Sequence, residues 1–333
     1  IGGQALHKMQ KEYRDQSILI SGESGAGKTE TTKRILEFLS NTASSRASMD
    51  GLPIEAQILE SNPILESFGN AKTLRNNNSS RFGKFMRVHF DKSHKIRGCN
   101  IDTYLLEKVR VCQQLENERS FHVFYMMLAG APKEMKRELH LKDASPEGMH
   151  YLNGSGCFKV SGRSEKKLYV ELIEAFEKLG FDGGDIQKIF QLLAAVLHLG
   201  NLFFEETIGD DGSQIVGGPS AVTTIAQLLG IHDSEALSHA LCFKELAVGG
   251  DVTQVALRAS LAVQQRDAVA KHVYAQIFDH IVLHANKRLD GAAGDKVDKS
   301  TDSASHIIGI LDIFGFEVFQ SNSFEQLCIN YCN

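Results

Sequence analysis

One short segment constrains this chain more than any other: Gly22-Glu23-Ser24-Gly25-Ala26-Gly27-Lys28-Thr29, which fits G-x-x-x-x-G-K-[ST]. Before it, Ser17–Ser21 is a short apolar run bounded by turn residues, a pattern that predicts a buried strand. After it a helical pattern runs from about Lys28 to Ser40, with Ile35, Leu36 and Leu39 on one side. Strand, glycine turn and helix in that order separate a working loop from a chance match. Glycines let several backbone N–H groups converge on one anion without Cβ obstruction. The following helix presents its positive N-terminal end to the same anion. Lys28 would add a point charge between β- and γ-phosphates, and the Thr29 hydroxyl a ligand for Mg²⁺. The competing reading is a glycine turn that merely links strand to helix; it leaves Lys28 and Thr29 without a purpose.

Elsewhere the pattern alternates between helix and strand, an α/β chain. Residues 4–15 read as a polar helix and residues 41–51 as a small polar loop. Phe85–Phe90 and Lys95–Ile101 alternate as two strands joined by a turn at Asp91–His94. Ser120–Ala131, Glu165–Gly180 and Asp185–Leu199 carry apolar residues at helical steps. The longest pattern runs from Leu257 to about Leu289; Leu257, Leu261, Val269, Val273, Ile277 and Ile281 form one four-step row, broken only by Gln265. Residues 290–305 read as an exposed loop, Ile307–Ile313 as a second buried strand, and Ser323 with Glu325 and Gln326 as a helix start. There is no internal repeat.

Composition bounds the function classes. A chain of 333 residues has room for about two domains or one large one. Hydrophobic residues at 42% and charged residues at 23% suit a packed core and argue against wholesale disorder. A net charge of −5 argues against nucleic acid as the main ligand. No apolar run approaches the ~20 residues of a membrane helix; Leu192–Leu199 is the nearest and includes His198. Cys99, Cys112, Cys157, Cys242, Cys328 and Cys332 form no CxxC pair, so a reduced cytosolic setting is expected. Cys328 and Cys332 share a helix face by spacing and read as ordinary buried thiols. The histidines form no HExxH or other dense ligand pattern, and Lys133–Arg137 reads as a solvated face. The chain opens with Ile1 and shows no charged-then-apolar leader, so no targeting signal is visible and a piece of a longer protein is the expectation.

A nucleoside triphosphatase needs more than a cradle: a second Mg²⁺-side hydroxyl, a positive charge, and a sensor of the γ-phosphate. Asn76-Asn77-Asn78-Ser79-Ser80-Arg81-Phe82-Gly83-Lys84 is a polar run leading into the Phe85 strand. Alone it could be a solvated loop. Asp312-Ile313-Phe314-Gly315-Phe316-Glu317 is an acid ending an apolar strand, then a flexible glycine, then a second acid. Alone it could be a simple strand exit, although a strand-ending Asp is where a Mg²⁺-associated carboxylate belongs in such folds.

Taken in order, Gly22–Thr29, Asn76–Lys84 and Asp312–Glu317 closely resemble the P-loop, switch I and switch II of the myosin motor domain. Leu59–Thr73 resembles that family's approach to switch I, Tyr104–Val111 and Glu118–Tyr125 the segment after it, and Phe316–Asn333 the start of the relay helix. The resemblance covers essentially the whole chain. It implies a P-loop NTPase core with a twisted central sheet and a large, mostly helical inserted subdomain. Residues 1–58 and 306–333 would form the nucleotide core, and residues 59–305 switch I and the upper actin-side subdomain, together a partial motor domain. The implied activity is hydrolysis of MgATP coupled to relay-helix movement and actin affinity, in the cytoplasm on the actin cytoskeleton.

Residue by residue, the resemblance implies that Gly22, Glu23, Ser24, Gly25, Ala26 and Gly27 wrap the phosphates and that Lys28 contacts the β/γ-phosphates. Thr29 and Ser80 would be Mg²⁺ hydroxyl ligands, with Asp312 acting on Mg²⁺ through a water. Asn76 and Ser79 would touch the phosphates, Ser79 relaying a proton from the attacking water, and the Gly315 N–H would bond the γ-phosphate. Arg81 and Glu317 match the pair that joins switch I to switch II. Asp267-Ala268-Val269-Ala270-Lys271 is similar to a DALAK-like sequence, and Asp251 lies sixteen residues before its first residue, where the family carries an acidic or phosphorylatable actin-facing residue. The family's adenine-contacting segment would lie upstream of Ile1. Most of the actin-binding lower subdomain, the converter and the lever with its light chains or calmodulin would lie beyond Asn333. Sheet edges would then stand uncovered. Two rivals stay open on the sequence alone: a kinesin-type ATPase, which also has a Ser-Ser-Arg switch, and a non-catalytic nucleotide-binding scaffold.

Overall fold

The computed structural model describes residues 1–43, 53–207, 212–217, 219–248, 251–290, 306–313, 315–317, 322 and 324–331. A four-stranded sheet organises one end of the molecule. Its order is Gln16–Ile20, His306–Asp312, Gly83–Phe90, Ile96–Tyr104. The first pair runs parallel with Ile20 opposite Asp312; the other pairs run antiparallel, with Asp312 opposite Lys84. The turn leaving Ile20, the segment leaving Asp312 and the segment entering Gly83 therefore meet at one end of the sheet, as ligand-binding loops do at the carboxyl ends of parallel strands. Ile18, Ile20, Met86, Val88, Phe90, Ile308 and Ile310 are buried. Gly309 lets the Phe85 ring lie across the central strand; a Cβ there would sit 2.7 Å from that ring.

The expected strand at Ser17–Ser21 forms, but it is not buried on both faces. Among the described residues it pairs only with His306–Asp312, and Leu19 is 65% exposed. The first helix spans Gly2–Glu12, ending early because Tyr13 turns left-handed at φ 52°. The helix after the glycine turn spans Lys28–Thr42, and the strand pair is joined by a turn in which the Asp91 carboxylate accepts from the backbone N–H groups of Ser93 and Lys95. The three middle helices appear as His122–Gly130, Glu165–Lys178 and Gly183–Gly200.

Three elements depart from the sequence reading. A helix spans Ile54–Gly69 although Pro63 and a run of polar residues hide its period. Its buried Ser61 and Ser67 hydroxyls donate to the helix's own carbonyls at Ile58 and Pro63, each at 2.7 Å, so they need no solvent. The long helix spans Ala259–Leu289, but its N-terminal half buries Ala262, Arg266, Ala270 and Tyr274 while Leu261 is exposed. The buried row runs at four-residue steps through Ala262, Arg266, Ala270, Tyr274, Phe278 and Val282, one residue along from the apolar row in the sequence, so small or hydrogen-bonded side chains carry the buried face of that half. Arg266 is buried because its guanidinium donates to the carbonyls of Gly200 and Leu202 and to Asp267. Finally, Phe243–Val248 and Asp251–Ala256 pair as an exposed antiparallel hairpin with no clear alternation in the sequence.

The loop expected over 290–305 lies outside the described residues beyond Asp290, and so do Ser323, Cys332 and the Asp251 side chain; the last helix spans Phe324–Tyr331. No helix among the described residues is long and apolar enough to cross a membrane.

Candidate functional site

The glycine turn takes the shape its residues allow. Gly25 and Gly27 sit at φ 83° and 87°, where a Cβ is disfavoured, and Gly27 is the N-terminal cap of the Lys28–Thr42 helix. Ala26 N–H donates to the Glu23 carbonyl at 3.2 Å, closing the turn. Lys28 folds back over it, its Nζ donating to the carbonyls of Gly22 at 2.7 Å and Glu23 at 2.8 Å. Burial lowers the pKa of Lys28, and the carboxylates of Asp312 and Glu317 partly oppose that shift.

The second loop is tied down from several sides. Asn70–Ala71 pairs with Ser79–Ser80, and Arg81 N–H donates to the Gly69 carbonyl. Asn76 N–H donates to Thr73 Oγ1, and Asn78 N–H to Asn76 Oδ1. The Asn78 side chain meets Asn70, Glu66 and the buried His122, whose Nε2 lies 3.1 Å from Asn78 Oδ1. The third segment packs directly on the glycine turn: Glu23 and Phe316 form a parallel bridge, and a Cβ on Gly315 would fall well inside contact with the Ser24 backbone.

These three stretches enclose an open cavity of about 180 Å³. Ser24, Gly25, Gly27, Lys28 and Thr29 line it from the first, Asn76, Asn78, Ser79 and Ser80 from the second, and Ile313 and Gly315 from the third. Ser24 Oγ and Ser79 Oγ are 3.3 Å apart across it. Gly22, Glu23 and Ala26 shape the turn without lining the cavity. Asp312, the residue before Ile313, is buried and does not line the cavity; its carboxylate is 3.6 Å from Lys84 Nζ, which also donates to Asn62 Oδ1 at 3.0 Å. Thr29 and Ser80, which line the cavity, and Asp312, which does not, carry the hard oxygen donors that suit Mg²⁺, and glycine-exposed N–H groups suit phosphate.

Arg81 and Glu317 meet at 2.8 Å with both side chains almost fully buried. Arg81 also donates through Nη1 to Ser79 Oγ, through Nη2 to Gln326 Oε1, and through Nε to Glu107 at 2.6 Å. Burial alone would lower the pKa of Arg81; Glu107 and then Glu317 outweigh it and hold it above its usual value. Burial would likewise raise the Glu107 carboxyl, but Arg110 and Arg81 bring it down to about 2. Glu317 is gripped through its backbone as well: its N–H donates to Asn330 Oδ1 at 3.1 Å and its carbonyl accepts from Asn330 Nδ2 at 2.6 Å. Sequence reasoning gives Glu107, His122 and Asn330 no role of their own, and Gln326 only one in a helix start. Apart from its place in the Tyr104–Val111 stretch that resembles the family, Glu107 is marked only as an acid set directly after two leucines, three residues before Arg110.

Fold and site together define a mixed α/β protein in which a glycine-rich turn opens onto two polar loops joined by a buried ion pair. Residues 1–333 match the family model described as Myosin head (motor domain). Unconventional myosin heavy chain 6 of Caenorhabditis elegans is 45% identical over 334 residues, covering 100% of this chain and 15% of that protein. Myosin-14 of Arabidopsis thaliana is 43% identical over 331 residues, covering 99% of this chain and 21% of that protein. Myosin-13 of the same plant is 44% identical over 329 residues, with the same coverage. The chain thus spans 15% to 21% of the length of these relatives. It belongs to the myosin head (motor domain) family.

Proposed function

We propose that this chain carries the nucleotide-hydrolysing and switch machinery of an actin-based motor. In this reading residues 1–58 and 306–333 form a P-loop NTPase core, and residues 59–305 supply switch I and the upper actin-side subdomain. The observation that carries it is the buried Arg81–Glu317 pair, 2.8 Å long, whose arginine also donates to Ser79 Oγ in the lining of the cavity that both loops share with the glycine turn. A bridge between two loops that both face the phosphates makes hydrolysis conditional on their closure.

Thr29 and Ser80 would hold Mg²⁺, with Asp312 orienting a water beside it; bound there, the ion neutralises charge on the phosphates of ATP. Lys28 would exchange its hydrogen bonds to the Gly22 and Glu23 carbonyls for the β/γ-phosphates. Asn76, Ser79 and the Gly315 N–H would position the terminal phosphate, and Ser79 Oγ would pass on a proton from the attacking water. Phosphoryl transfer asks little covalent chemistry of the protein, so positioning and positive charge in a dry site dominate. Movement of Glu317 would reach the Phe324–Tyr331 helix through Asn330 and Gln326. The partner of the whole motor would be the actin filament, with light chains or calmodulin on its lever, in the cytoplasmic actin cytoskeleton.

The full-length motor tests this. It should bind a fluorescent ATP analogue, cleave Mg²⁺-bound ATP in a single turnover, and cosediment with actin but not with microtubules, leaving actin when ATP is added. Bound ATP that stays uncleaved, or cosedimentation with microtubules alone, would overturn the reading.

A further inference from the structure

Arg81 has a second buried carboxylate partner, and that partner belongs to neither switch. Glu107 follows the Ile96–Tyr104 strand, and its backbone N–H donates to the Arg81 carbonyl at 2.9 Å. Its carboxylate takes Arg81 Nε at 2.6 Å and Arg110 Nε at 2.6 Å through the same oxygen. Arg110 is itself anchored by Glu118 at 2.8 Å, so Glu107 stands on a fixed, buried lattice of charge. The guanidinium is a rigid planar fork. With Nε held by Glu107, the Nη1 edge is aimed at Glu317 and Ser79 and the Nη2 edge at Gln326.

We propose that Glu107 is a positioning residue for the hydrolysis reaction proposed above: it retains Arg81, charged and oriented, whether or not Glu317 is in contact. A buried arginine whose sole carboxylate left would be stranded as an uncompensated charge, and the switch would be held shut. Glu107 removes that obstacle. Glu317 can leave and return while the cation keeps a partner, so opening and closing become a near-balanced exchange. The fork also stays set for rebinding, with no search among arginine rotamers. This inference rests on the motor reading, but the two fail separately.

The test uses the intact motor with Glu107→Gln, alone and in the charge-swapped background Arg81→Glu/Glu317→Arg. In the parent, Glu107→Gln should leave fluorescent-ATP binding within about twofold and slow single-turnover hydrolysis about tenfold or more, the scale of a lost charged hydrogen bond. In the swapped background the carboxylate at Glu107 faces the acid introduced by Arg81→Glu, so Glu107→Gln should cause a much smaller loss or a gain. Thermal midpoints provide the same comparison if the swapped motor turns over too slowly to read. A residue needed only for folding would harm both backgrounds alike, and equal losses overturn the inference. Parent-like hydrolysis in Glu107→Gln overturns it as well. So does a Glu107→Gln that fails to fold beside a Glu107→Asp that folds and hydrolyses normally. An unmutated motor that neither binds nor cleaves ATP defeats the functional reading instead.

Discussion

Lys84 and Asp312 face each other across adjacent antiparallel strands, in register, with the ammonium 3.6 Å from the carboxylate and both side chains about 5% exposed. The strand that ends at one loop thus supplies the counter-charge for the acid that begins the other. Removing one partner of such a buried pair typically costs ~3–5 kcal/mol. Lys84→Ala should lower the denaturant-unfolding stability of the protein by about that amount, and Lys84→Arg by less. Unchanged stability in Lys84→Ala would show that the pair contributes nothing.

Arg81→Ala or Glu317→Ala in the intact motor should leave ATP binding largely in place and block hydrolysis, because neither residue lines the cavity. Swapping both charges together should restore part of the activity. A single-turnover assay showing normal cleavage in either single variant would count against a role for this bridge.

Gly315→Ala tests the contact between the third segment and the glycine turn. The added Cβ cannot fit against the Ser24 backbone without moving one of them. Overpacking of this kind costs ~1–3 kcal/mol, enough to slow a step that needs the contact by about tenfold or more. Hydrolysis should fall while binding of the ATP analogue persists; parent-like single-turnover rates would refute the close approach.

His122 gives a pH dependence with a definite sign. Its burial, and then the nearby Arg163, Arg119 and Arg110, push its pKa well below the ordinary value of 6.5. A histidine kept neutral by folding contributes stability that is complete above its unfolded pKa and is lost as pH falls below it. Unfolding midpoints should therefore decline as pH drops from about 6.5. His122→Gln, which can still hydrogen-bond Asn78, should flatten that decline, and an identical slope would place its origin elsewhere.

The glycine turn with its flanking strand and helix was legible because it depends on local rules, residue spacing and glycine geometry. The two acid-and-polar segments stood out only through family resemblance, since alone each reads as a solvated loop or a strand exit. The Ile54–Gly69 helix was not legible, since buried serines satisfied by their own helix look polar in sequence. Arg81 and Glu317 could be paired only through family resemblance. Glu107 could not be paired at all, because an acid after two leucines carries no mark of the arginine folded against it. Gln326 and Asn330 share one helix face by spacing, yet what that face holds is the backbone of Glu317, and a backbone partner leaves no trace in side-chain pattern. The long helix's buried row was hidden because its N-terminal half buries two alanines and a paired arginine, which stand out less in sequence than the exposed Leu261.

Asn330 engages the N–H and the C=O of Glu317 with a single amide, the way a neighbouring strand would. A contact that specifies both direction and distance cannot slip by degrees; it either holds or breaks. In the motor reading proposed above, the Phe324–Tyr331 helix would turn with that peptide, so displacement of Glu317 would emerge as rotation of a rod.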